Sequence, residues 1–407
     1  MFSLDKKAPV VRFKGFEDDW EQRKLGDITE SYSGGTPSAS NKTYYGGNIP
    51  FVRSGEINDS STELFVTEEG LNNSSAKMVT KGDILYALYG ATSGEVGISQ
   101  INGAINQAIL AIRPTKGDDS YLISQWLKKQ KDVIISTYLQ GGQGNLSGSI
   151  VKNLHMILPS DIDEQRNIST FFKSLDGTIV LHQRKLETLM QLKKGFLQKL
   201  FPKNQENVPE IRFANFQAEW EQRKLDEISD KVTEKNINNE FTETLTNSAE
   251  YGIINQREFF DKDISNKKNL NGYYVVRKDD FVYNPRISNY APVGPIKRNK
   301  LGRTGVMSPL YYIFRTHNID KTFLEYYFDT TIWHRFMKLQ GDSGARADRF
   351  AIKDSVFKTM PIPSPSIEEQ EKIGCIFKVI DDTVALHQKK LEQLQLLKSG
   401  LLQKMFI

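Results

Sequence analysis

The chain repeats itself, and this duplication constrains its architecture more than any other feature of its 407 residues. Residues 9–25 return as residues 209–225, an offset of 200, and the stretch WEQRKL occurs unchanged in both copies. A second repeat, at an offset of 205, relates residues 164–201 to residues 369–406. A period near 200 residues indicates two domains in tandem, because solenoid repeats are only about 20–50 residues long.

Both copies of the second repeat are typical of long helices. They contain no proline between Glu164 and Phe201 or after Glu369, and they are rich in Leu, Lys, Gln and Glu, which favour helix. Their apolar residues recur at alternating steps of four and three, which is the spacing of a coiled-coil seam. The seam positions are Leu175, Ile179, His182, Leu186, Leu189, Lys193 and Phe196 in the first tail and Ile380, Val384, His387, Leu391, Leu394, Lys398 and Leu401 in the second.

The simplest partner for each helical tail is the other tail, because neither seam can bury itself. Two homologous units in one chain are expected to pair about a pseudo-twofold axis, by analogy with homodimers. This symmetry predicts an antiparallel coiled coil with the two bodies at its opposite ends. An intermolecular coiled coil and an isolated amphipathic helix are the alternatives.

Two pairs of repeated residues have both a structural and a functional interpretation. His182 and His387 lie on the predicted seam, where buried polar residues fix helix register; the alternative is a proton or metal site between the tails. Trp20 and Trp220 are predicted to pack where each body joins the helices, with a partner contact as the alternative.

The two bodies, residues 29–158 and 229–363, read as mixed domains with many short strands and two helical stretches, 121–139 and 323–339. They align only loosely: KGDILYALYGATSGEVGI corresponds to RKDDFVYNPRISNYAPVGPI, and GAINQAILAIRP to GVMSPLYYIFRT. The predicted fold class is α+β, with two mixed α/β domains in tandem, each followed by a long helix. The predicted boundaries are 1–160, 161–203, 204–365 and 366–407. Similar ends and divergent middles favour a protein that docks the same partner twice and reads two different targets.

Composition sets further limits. The net charge of +4, from 54 basic and 50 acidic residues, allows nucleic-acid binding without requiring it, since local clustering decides. The single cysteine, Cys375, excludes an intrachain disulfide and favours a reducing cytoplasm. The N-terminus lacks the apolar run of a signal peptide, and no stretch approaches the roughly 18 apolar residues of a membrane span.

The ordered phrases of the chain resemble the specificity subunits of type I restriction–modification systems. These phrases are WEQRKLGDI, SGGTPS, YYGGNIPFVRSGEI, KGDILYALYGATSGEVGI, INQAILAI and GGQGNLSGSIVKNLHMILPS followed by DEQ. The resemblance covers nearly the whole chain. The second body lacks the GGTPS and YYGGNIP phrases and is similar to a different class of target-recognition domain.

The resemblance implies a non-catalytic function. Each body would be a target-recognition domain that reads one half of a split, asymmetric site in double-stranded DNA. The helices would set the gap between the half-sites and dock two methyltransferase subunits. The assembled complex would methylate adenine and, with motor-nuclease subunits, cut DNA, using S-adenosylmethionine, ATP and Mg. The subunit itself would need no cofactor, metal or membrane.

Two rival functions are a self-contained methyltransferase or nuclease, and a coiled-coil scaffold that binds only proteins. An adenine methyltransferase needs an Asn/Asp-Pro-Pro-aromatic loop, and the nearest approach, NPRI at residues 284–287, lacks the second proline and the aromatic residue. The chain contains no Gly-Lys pair to end a P-loop and no Pro-Asp pair of the kind common in nucleases. The scaffold hypothesis explains the tails but not the divergent bodies.

Loops in both bodies supply side chains suited to DNA. Arg, Lys, Asn and Gln read base edges, and Lys, Arg and Ser hold phosphates. In the first body the candidates are Arg53, Ser54, Tyr89, Thr92, Asn106, Gln107, Gln143 and Asn145. In the second body they are Asn284, Arg286, Lys297, Arg298, Lys300, Arg346 and Arg349. The segment 297–300 is the densest basic loop and is predicted to contact phosphate.

Overall fold

The chain forms two compact units, the first from Met1–Gln183 with Lys389–Ile407 and the second from Arg184–Gln388. Each boundary falls inside a long helix, so each unit holds one body together with parts of both helical tails. The computed structural model describes residues 8–139, 145–203, 206–260, 267–343 and 348–406.

The elements of the first unit alternate short strands with short helices. Its strands are β1 (Glu21–Lys24), β2 (Thr29–Ser33), β3 (Tyr45–Val52), β4 (Phe65–Val66), β5 (Lys77–Val79), β6 (Ile84–Ala87), β7 (Val96–Ile98), β8 (Gly103–Ile105), β9 (Ile109–Pro114) and β10 (His155–Leu158). Its helices are α1 (Leu25–Ile28), α2 (Glu68–Asn72), α3 (Ser120–Lys129), α4 (Lys131–Tyr138), α5 (Gly148–Lys152) and the start of α6 (Ile162–Lys199).

The central sheet of the first unit has the order β2-β9-β6-β7, with every pairing antiparallel. A second sheet, β4-β3-β8-β5, contains a parallel pair between β3 and β8. Strand β6 is buried on both faces, since Ile84 and Tyr86 belong to one apolar core and Leu85 and Ala87 to another. Burial on both faces explains its continuous apolar sequence, because only a half-exposed strand needs to alternate.

The second unit contains the remaining elements. Its strands are β11 (Glu221–Lys224), β12 (Ser229–Lys231), β13 (Leu245–Ser248), β14 (Gly252–Asn255), β15 (Tyr274–Val276), β16 (Phe281–Tyr283), β17 (Ile296–Arg298), β18 (Gly305–Met307), β19 (Tyr312–Thr316), β20 (Asp342–Ser343), β21 (Phe350–Ala351) and β22 (Pro361–Ser364). Its helices are α7 (Gln256–Phe260), α8 (Lys321–Asp329), α9 (His334–Gln340), α10 (Asp354–Phe357) and the start of α11 (Ile367–Met405).

The second unit repeats the central sheet of the first, in the order β12-β19-β16-β17. Strand β16 is again buried on both faces, with Phe281 and Tyr283 in one core and Val282 in another. The pair β1–β10 likewise returns as β11–β22. The structure therefore bears out the loose alignment of the two bodies, which places β6 opposite β16 and β9 opposite β19.

The helix predicted over residues 121–139 is in fact two helices, α3 and α4, and its counterpart divides into α8 and α9. The first break lies at Gln130, and the second begins at Thr330, whose backbone is extended. Both members of each pair bury apolar residues in the same core, among them Ile134 and Met337. The apolar spacing therefore continues across each break, which is why the sequence did not indicate it.

The two helical tails are continuous helices of 38 and 39 residues, α6 and α11. Asp161 caps the N-terminus of α6: its Oδ1 accepts the N–H of Asp163 at 2.7 Å and of Glu164 at 3.2 Å. Ser366 begins α11 through its carbonyl oxygen, which accepts the N–H of Glu369 at 3.0 Å. Several predicted seam residues are buried, namely Leu175, Leu186, Leu189, Ile380 and Leu394.

Candidate nucleic-acid interface

In each unit a buried ion pair joins the segment before the unit's first strand to the start of the long helix that follows the body. In the first unit Arg12 donates to Glu164 through two bonds of 2.6 and 2.7 Å, and in the second Arg212 donates to Glu369 at 2.7 and 2.8 Å. The glutamates are 0% and 1% exposed, and these hydrogen bonds raise the pKa of both arginines. Bidentate geometry of this kind gives a rigid frame on which loops can be placed.

The residue after each glutamate positions a helix of the body. Gln165 Oε1 accepts the N–H of Asp119 at 3.0 Å, and Gln370 Oε1 accepts the N–H of Asp320 at 2.8 Å. These two aspartates are the N-caps of α3 and α8. Trp20 and Trp220 are buried in the adjoining cores, as predicted for core anchors. The similar ends of the two repeats thus form equivalent scaffolds.

In the first unit the structure brings Arg53 and Asn106 together, because they follow the paired parallel strands β3 and β8. The Asn106 N–H donates to the Val52 carbonyl at 3.2 Å, directly before Arg53. Asn106 Oδ1 accepts the N–H of Ala108 at 3.1 Å, so this side chain shapes its own turn. Arg53 is half exposed and pairs with Glu56 at 2.6 Å, and this hydrogen bond lowers the pKa of Glu56.

The SGGTPS loop lies against the same turn. A Cβ on Gly34 would lie only 2.1 Å from the Ile105 carbonyl oxygen, so only glycine allows this approach. The Thr36 hydroxyl donates to Gln107 Oε1. Thr36 was not among the predicted contact residues, although its place in the glycine-rich phrase was a usable signal. Ser54 is half-buried in the turn after β3.

The remaining candidates of the first unit lie in loops that adjoin the turn after β8. The Leu88 N–H donates to the Ala108 carbonyl at 2.8 Å, and the Leu146 N–H donates to the Leu88 carbonyl at 2.9 Å. These bonds place Tyr89 beside the 106–108 turn and the exposed Asn145 beside Tyr89. Thr92 belongs to the turn after Tyr89, where its carbonyl accepts the Glu95 N–H at 2.9 Å. Gln143 lies outside the described residues.

The basic segment 297–300 of the second unit is not the free loop that the sequence suggested. Lys297 and Arg298 end strand β17, and Lys300 follows it. All three cations pair with acidic residues of α8. Lys297 pairs with Asp329 at 2.7 Å, and Arg298 and Lys300 both pair with Glu325 at 2.8 Å. Helical spacing puts Glu325 and Asp329 on one face of α8. Because these acids are about 25–32 residues away in sequence, the local sequence around residues 297–300 does not indicate the pairing. Charge neutralised in this way is poorly placed to hold phosphate.

Arg286 and Arg349 meet across an antiparallel bridge in the second unit. Arg286 makes no ion pair within the part of the chain that the structure describes. Arg349 Nε is buried without a hydrogen-bond partner and lies 3.9 Å from the nearest Asp348 carboxylate oxygen. Directly opposed like charges are destabilising, so this pair favours an anionic ligand. Arg346 lies outside the described residues.

Asn284 holds this bridge in place and is itself only 7% exposed. Its Nδ2 donates to the Asn247 carbonyl at 2.8 Å, and its Oδ1 accepts the Arg286 N–H at 3.0 Å. The Phe350 N–H donates to the Pro285 carbonyl at 2.8 Å on the other side of the bridge. With both ends of its amide hydrogen-bonded to backbone, Asn284 positions Arg286, and its contact with a base stays a prediction.

The two arginines line a cleft of about 700 Å³ that lies entirely within the second unit. Tyr290 stands at the tip of the turn between Ser288 and Ala291, is 81% exposed and also lines the cleft. Gln256 contributes a buried side-chain oxygen without a hydrogen-bond partner in the described structure. Tyr290 and Gln256 were not among the predicted contacts. The Asn-Tyr turn was a signal for Tyr290, whereas Gln256 is distant in sequence from every predicted loop.

The described residues contain no group of three or more His, Cys, Asp or Glu side chains arranged to hold a metal ion. Burial lowers the pKa of His334 to about 4, with a further contribution from Lys338. In the described part of the chain, every helix is too short or too polar to cross a membrane.

Residues 17–191 and 217–396 each match the family described as the type I restriction modification DNA specificity domain. The chain belongs to this family. The two matches fall on the two copies of the repeat. The family resemblance inferred from the sequence is therefore confirmed. Which of its side chains contact DNA stays a prediction.

Relatives and solved structures agree with this family. The MjaVIII specificity subunit of a type I restriction enzyme from Methanocaldococcus jannaschii is 24% identical over 407 residues, which cover 95% of this chain and 91% of that protein. The crystal structure of a type I S subunit from M. genitalium superposes with a TM-score of 0.61 at 17% identity, covering 98% and 99% of the two chains. A chain solved in a study of type I complex assembly and conformational transition gives 0.51 at 16%, covering 95% and 97%. These structures share the mixed α+β fold.

Proposed function

We propose that this chain gives sequence specificity to a type I restriction–modification complex and carries out no chemistry itself. The observation that carries the proposal is the match of both repeat copies to the specificity-domain family, on frames that are equivalent but bear different loops. Each target-recognition domain reads one half of a bipartite site in double-stranded DNA. Because the two sets of loops differ, the two half-sites differ and the whole site is asymmetric.

The proposed contacts of the second domain centre on Arg286 and Arg349. The Arg349 guanidinium has a buried Nε without a hydrogen-bond partner, and the Arg286 guanidinium makes no ion pair within the described residues. Such groups suit either phosphate oxygens or the O6 and N7 acceptors of guanine. The exposed Tyr290 ring adds a surface for sugar or base contact. In the first domain the loops that carry Asn106, Tyr89 and Asn145 have the corresponding role, whereas Arg53 is already paired with Glu56.

We further propose that α6 and α11 form an antiparallel coiled coil. Asp176 pairs with Lys398 at 2.6 Å in the first unit, and Lys193 pairs with Asp381 at 2.6 Å in the second. Seventeen residues separate Asp176 from Lys193, and seventeen separate Asp381 from Lys398, so a single antiparallel register accommodates both ion pairs. The paired helices then set the gap between the half-sites, and the predicted boundaries at residues 161–203 and 366–407 separate this spacer from the two recognition domains.

The partners of the complex are proposed to be two methyltransferase subunits, with motor-nuclease subunits added through them. Leu181 and Leu386, at the same place in the two repeats, are 67% and 65% exposed, and Leu192 and Leu397 form a second exposed pair. Exposed leucines at equivalent positions suit two copies of one apolar partner surface. S-adenosylmethionine, ATP and Mg would bind those partner subunits, and the complex would act in the cytoplasm of a prokaryotic cell.

A genome-wide map of adenine methylation, compared between a host that carries this gene and its deletion strain, tests the proposal. We expect one split, asymmetric motif to lose methylation on deletion. An unchanged map while the methyltransferase subunit is expressed would contradict DNA specificity and favour the scaffold hypothesis. Methyl transfer by the purified chain alone would instead support the self-contained enzyme.

The assembled methyltransferase complex allows the cleft to be tested directly. Arg286→Gln and Arg349→Gln should each weaken DNA binding and, for a phosphate contact, reduce the slope of log K against log salt concentration by about 1. Lys300→Gln is the matched control, because Glu325 already neutralises that cation. Equal losses for all three variants would show that the cleft has no special role.

A further inference from the structure

Three side chains from three different elements meet where the first body contacts the long helices. The Tyr121 hydroxyl of α3 donates to Asp176 Oδ2 of α6 at 2.5 Å. Lys398 of α11 pairs with the other oxygen of the same carboxylate at 2.6 Å. We refer to Tyr121, Asp176 and Lys398 as the first triad.

An equivalent group forms in the second unit, the second triad of Tyr326, Asp381 and Lys193. The Tyr326 hydroxyl of α8 donates to Asp381 Oδ2 of α11 at 2.8 Å, and Lys193 of α6 pairs with the same carboxylate at 2.6 Å. Lys193 also lies 5.1 Å from the centre of the Tyr326 ring, which stacks on Phe377 at 4.6 Å. Each triad therefore fixes one body helix against two long helices.

The aspartates and the lysines of the two triads are related by the offset of 205 residues that relates the long helices. The N-caps Asp119 and Asp320 differ by only 201, so Tyr326 lies about one helical turn further along α8 than Tyr121 lies along α3. Tyrosine and aspartate come from the same repeat, whereas the lysine comes from the other repeat's tail. A neighbouring contact has not been kept in this way, because the Arg23–Asp118 ion pair becomes a longer contact from Arg223 to the Asn318 carbonyl. Both bodies therefore make the same tyrosine–aspartate–lysine contact, from tyrosines that lie at different positions on the body helix.

Stability alone is a weak reason for such a group. The aspartates and lysines are 22–38% exposed, and partly solvated ion pairs add little to the free energy of folding. Buried apolar residues next to them, such as Phe172 and Phe377, supply the packing. What charged, directional hydrogen bonds add is a unique geometry, since apolar packing tolerates small rotations and a carboxylate with two fixed donors does not.

We propose that the two triads fix the orientation of each recognition domain on the long helices and so determine which gap between half-sites the complex accepts. Tyrosine, aspartate and lysine act as positioning residues, remote from the bases that are read. This inference rests on the proposed function. It adds residues that make the gap specific, beyond the length of the helices themselves.

The protonation states agree with this role. Burial raises the pKa of Tyr121 and of Tyr326, and the hydrogen bond to the aspartate raises it further. Both hydroxyls therefore keep their proton and remain donors at neutral pH. Removing one hydroxyl deletes a single bond and leaves the ring packing in place.

The test uses the complete methyltransferase complex and duplexes that carry its two half-sites at the natural gap, or with one base pair added or removed. Wild-type complex should strongly prefer the natural gap. Tyr326→Phe, Asp381→Asn and Lys193→Met should each reduce that preference by about tenfold, the scale for one hydrogen bond to a charged group. The exchange of Lys193 and Asp381 in a double variant should restore part of it.

Matched controls are Asp382→Asn and Lys194→Met, which remove the same charges at exposed positions one residue further along each helix. Equal loss of methylation at all three gaps, or unchanged gap preference in the well-folded Tyr326→Phe variant, would overturn the inference and leave the proposed function intact. A wild-type complex that methylates no split site would instead contradict the proposed function itself.

Discussion

The charged residues of this chain have roles that depend on their neighbours in space. Lys297, Arg298 and Lys300 form the densest basic cluster in the second body, yet each pairs with an acid of α8. Arg286 and Arg349 are scattered in sequence but face each other. At the residue scale, the informative observation is therefore how closely each charge is paired with one of opposite sign.

Removal of Arg12 should strongly destabilise the first unit. The change Arg12→Ala leaves Glu164 buried without its counter-charge, which costs about 3–5 kcal/mol in comparable cases. Denaturant titration followed by tryptophan fluorescence measures the free energy of unfolding. Asp163→Ala breaks the exposed pair with Arg166 and should cost no more than about 1 kcal/mol. A similar small loss for Arg12→Ala would contradict the frame described above.

His334 should make stability depend on pH between about 4 and 6.5. Its pKa is lowered to about 4 in the folded protein, below the ordinary value, chiefly by burial. Between these values the unfolded chain binds a proton that the folded protein does not, so stability is complete above pH 6.5 and falls as the pH approaches 4. The loss should be on the order of 2 kcal/mol after allowance for partial exposure.

Thermal melts from pH 7 to pH 4.5 test this effect by comparing wild type with His334→Gln. The variant should lose less stability than wild type over that interval. His317→Gln is the control, because that exposed ring lies 3.7 Å from Asp230 at the surface. Parallel curves for wild type and His334→Gln would show that the half-buried His334 ring does not govern this pH range.

Among the elements, α6 and α11 combine two patterns in one sequence. One face contributes buried residues to a core, among them Leu175 and Leu394, and another face leaves leucines exposed at equivalent positions. A helix that packs only within its own chain is expected to have a polar outer face, so exposed leucines indicate a partner surface. The helices are therefore expected to carry the methyltransferase interface as well as to space the bodies.

Replacing one exposed leucine should remove one partner subunit. Leu386→Asp places a charge in the proposed apolar contact, where a central residue contributes about 2 kcal/mol or more. Native mass spectrometry should then find one methyltransferase subunit bound in place of two, and Leu181→Asp should do the same at the other copy. Gln183→Asp and Gln388→Asp, at exposed polar positions nearby, should leave two subunits bound. Full occupancy in both leucine variants would place the interface elsewhere.

For the whole molecule, the proposed coiled coil makes the accepted gap a function of helix length. A heptad inserted after Gln183 and another after Gln388 would lengthen both helices at the boundary of the two units and keep the seam in phase. Seven residues add about 10.5 Å at 1.5 Å per residue. At about 3.4 Å per base pair, the gap should grow by roughly three base pairs.

Methylation mapping of cells that carry the lengthened protein measures this change. Both half-sites should be the same as before and only the gap should differ. A four-residue insertion in each helix rotates the seam out of phase and should abolish methylation. An unaltered gap after the heptad insertion would exclude the helices as the spacer.

The sequence by itself determined the duplication, the helical tails and the family. These features are periodic or are copied within the chain, so comparison of the chain with itself shows them. The loose alignment of the two bodies also placed the segments that form β6 and β16 opposite each other. The sequence did not indicate the breaks after α3 and α8, because the apolar spacing continues across both.

Only the tertiary structure decided which charges are neutralised and which side chains share a site. Ion pairs such as Arg298 with Glu325, and the opposition of Arg286 and Arg349, join residues from separate elements. The triads depend on it most, because the heptad pattern places Lys193 and Lys398 on the seam but does not show which aspartate and tyrosine each lysine meets. Coulomb and hydrogen-bond energies depend on distances of a few ångströms between side chains, and sequence separation carries no information about those distances until the chain has folded.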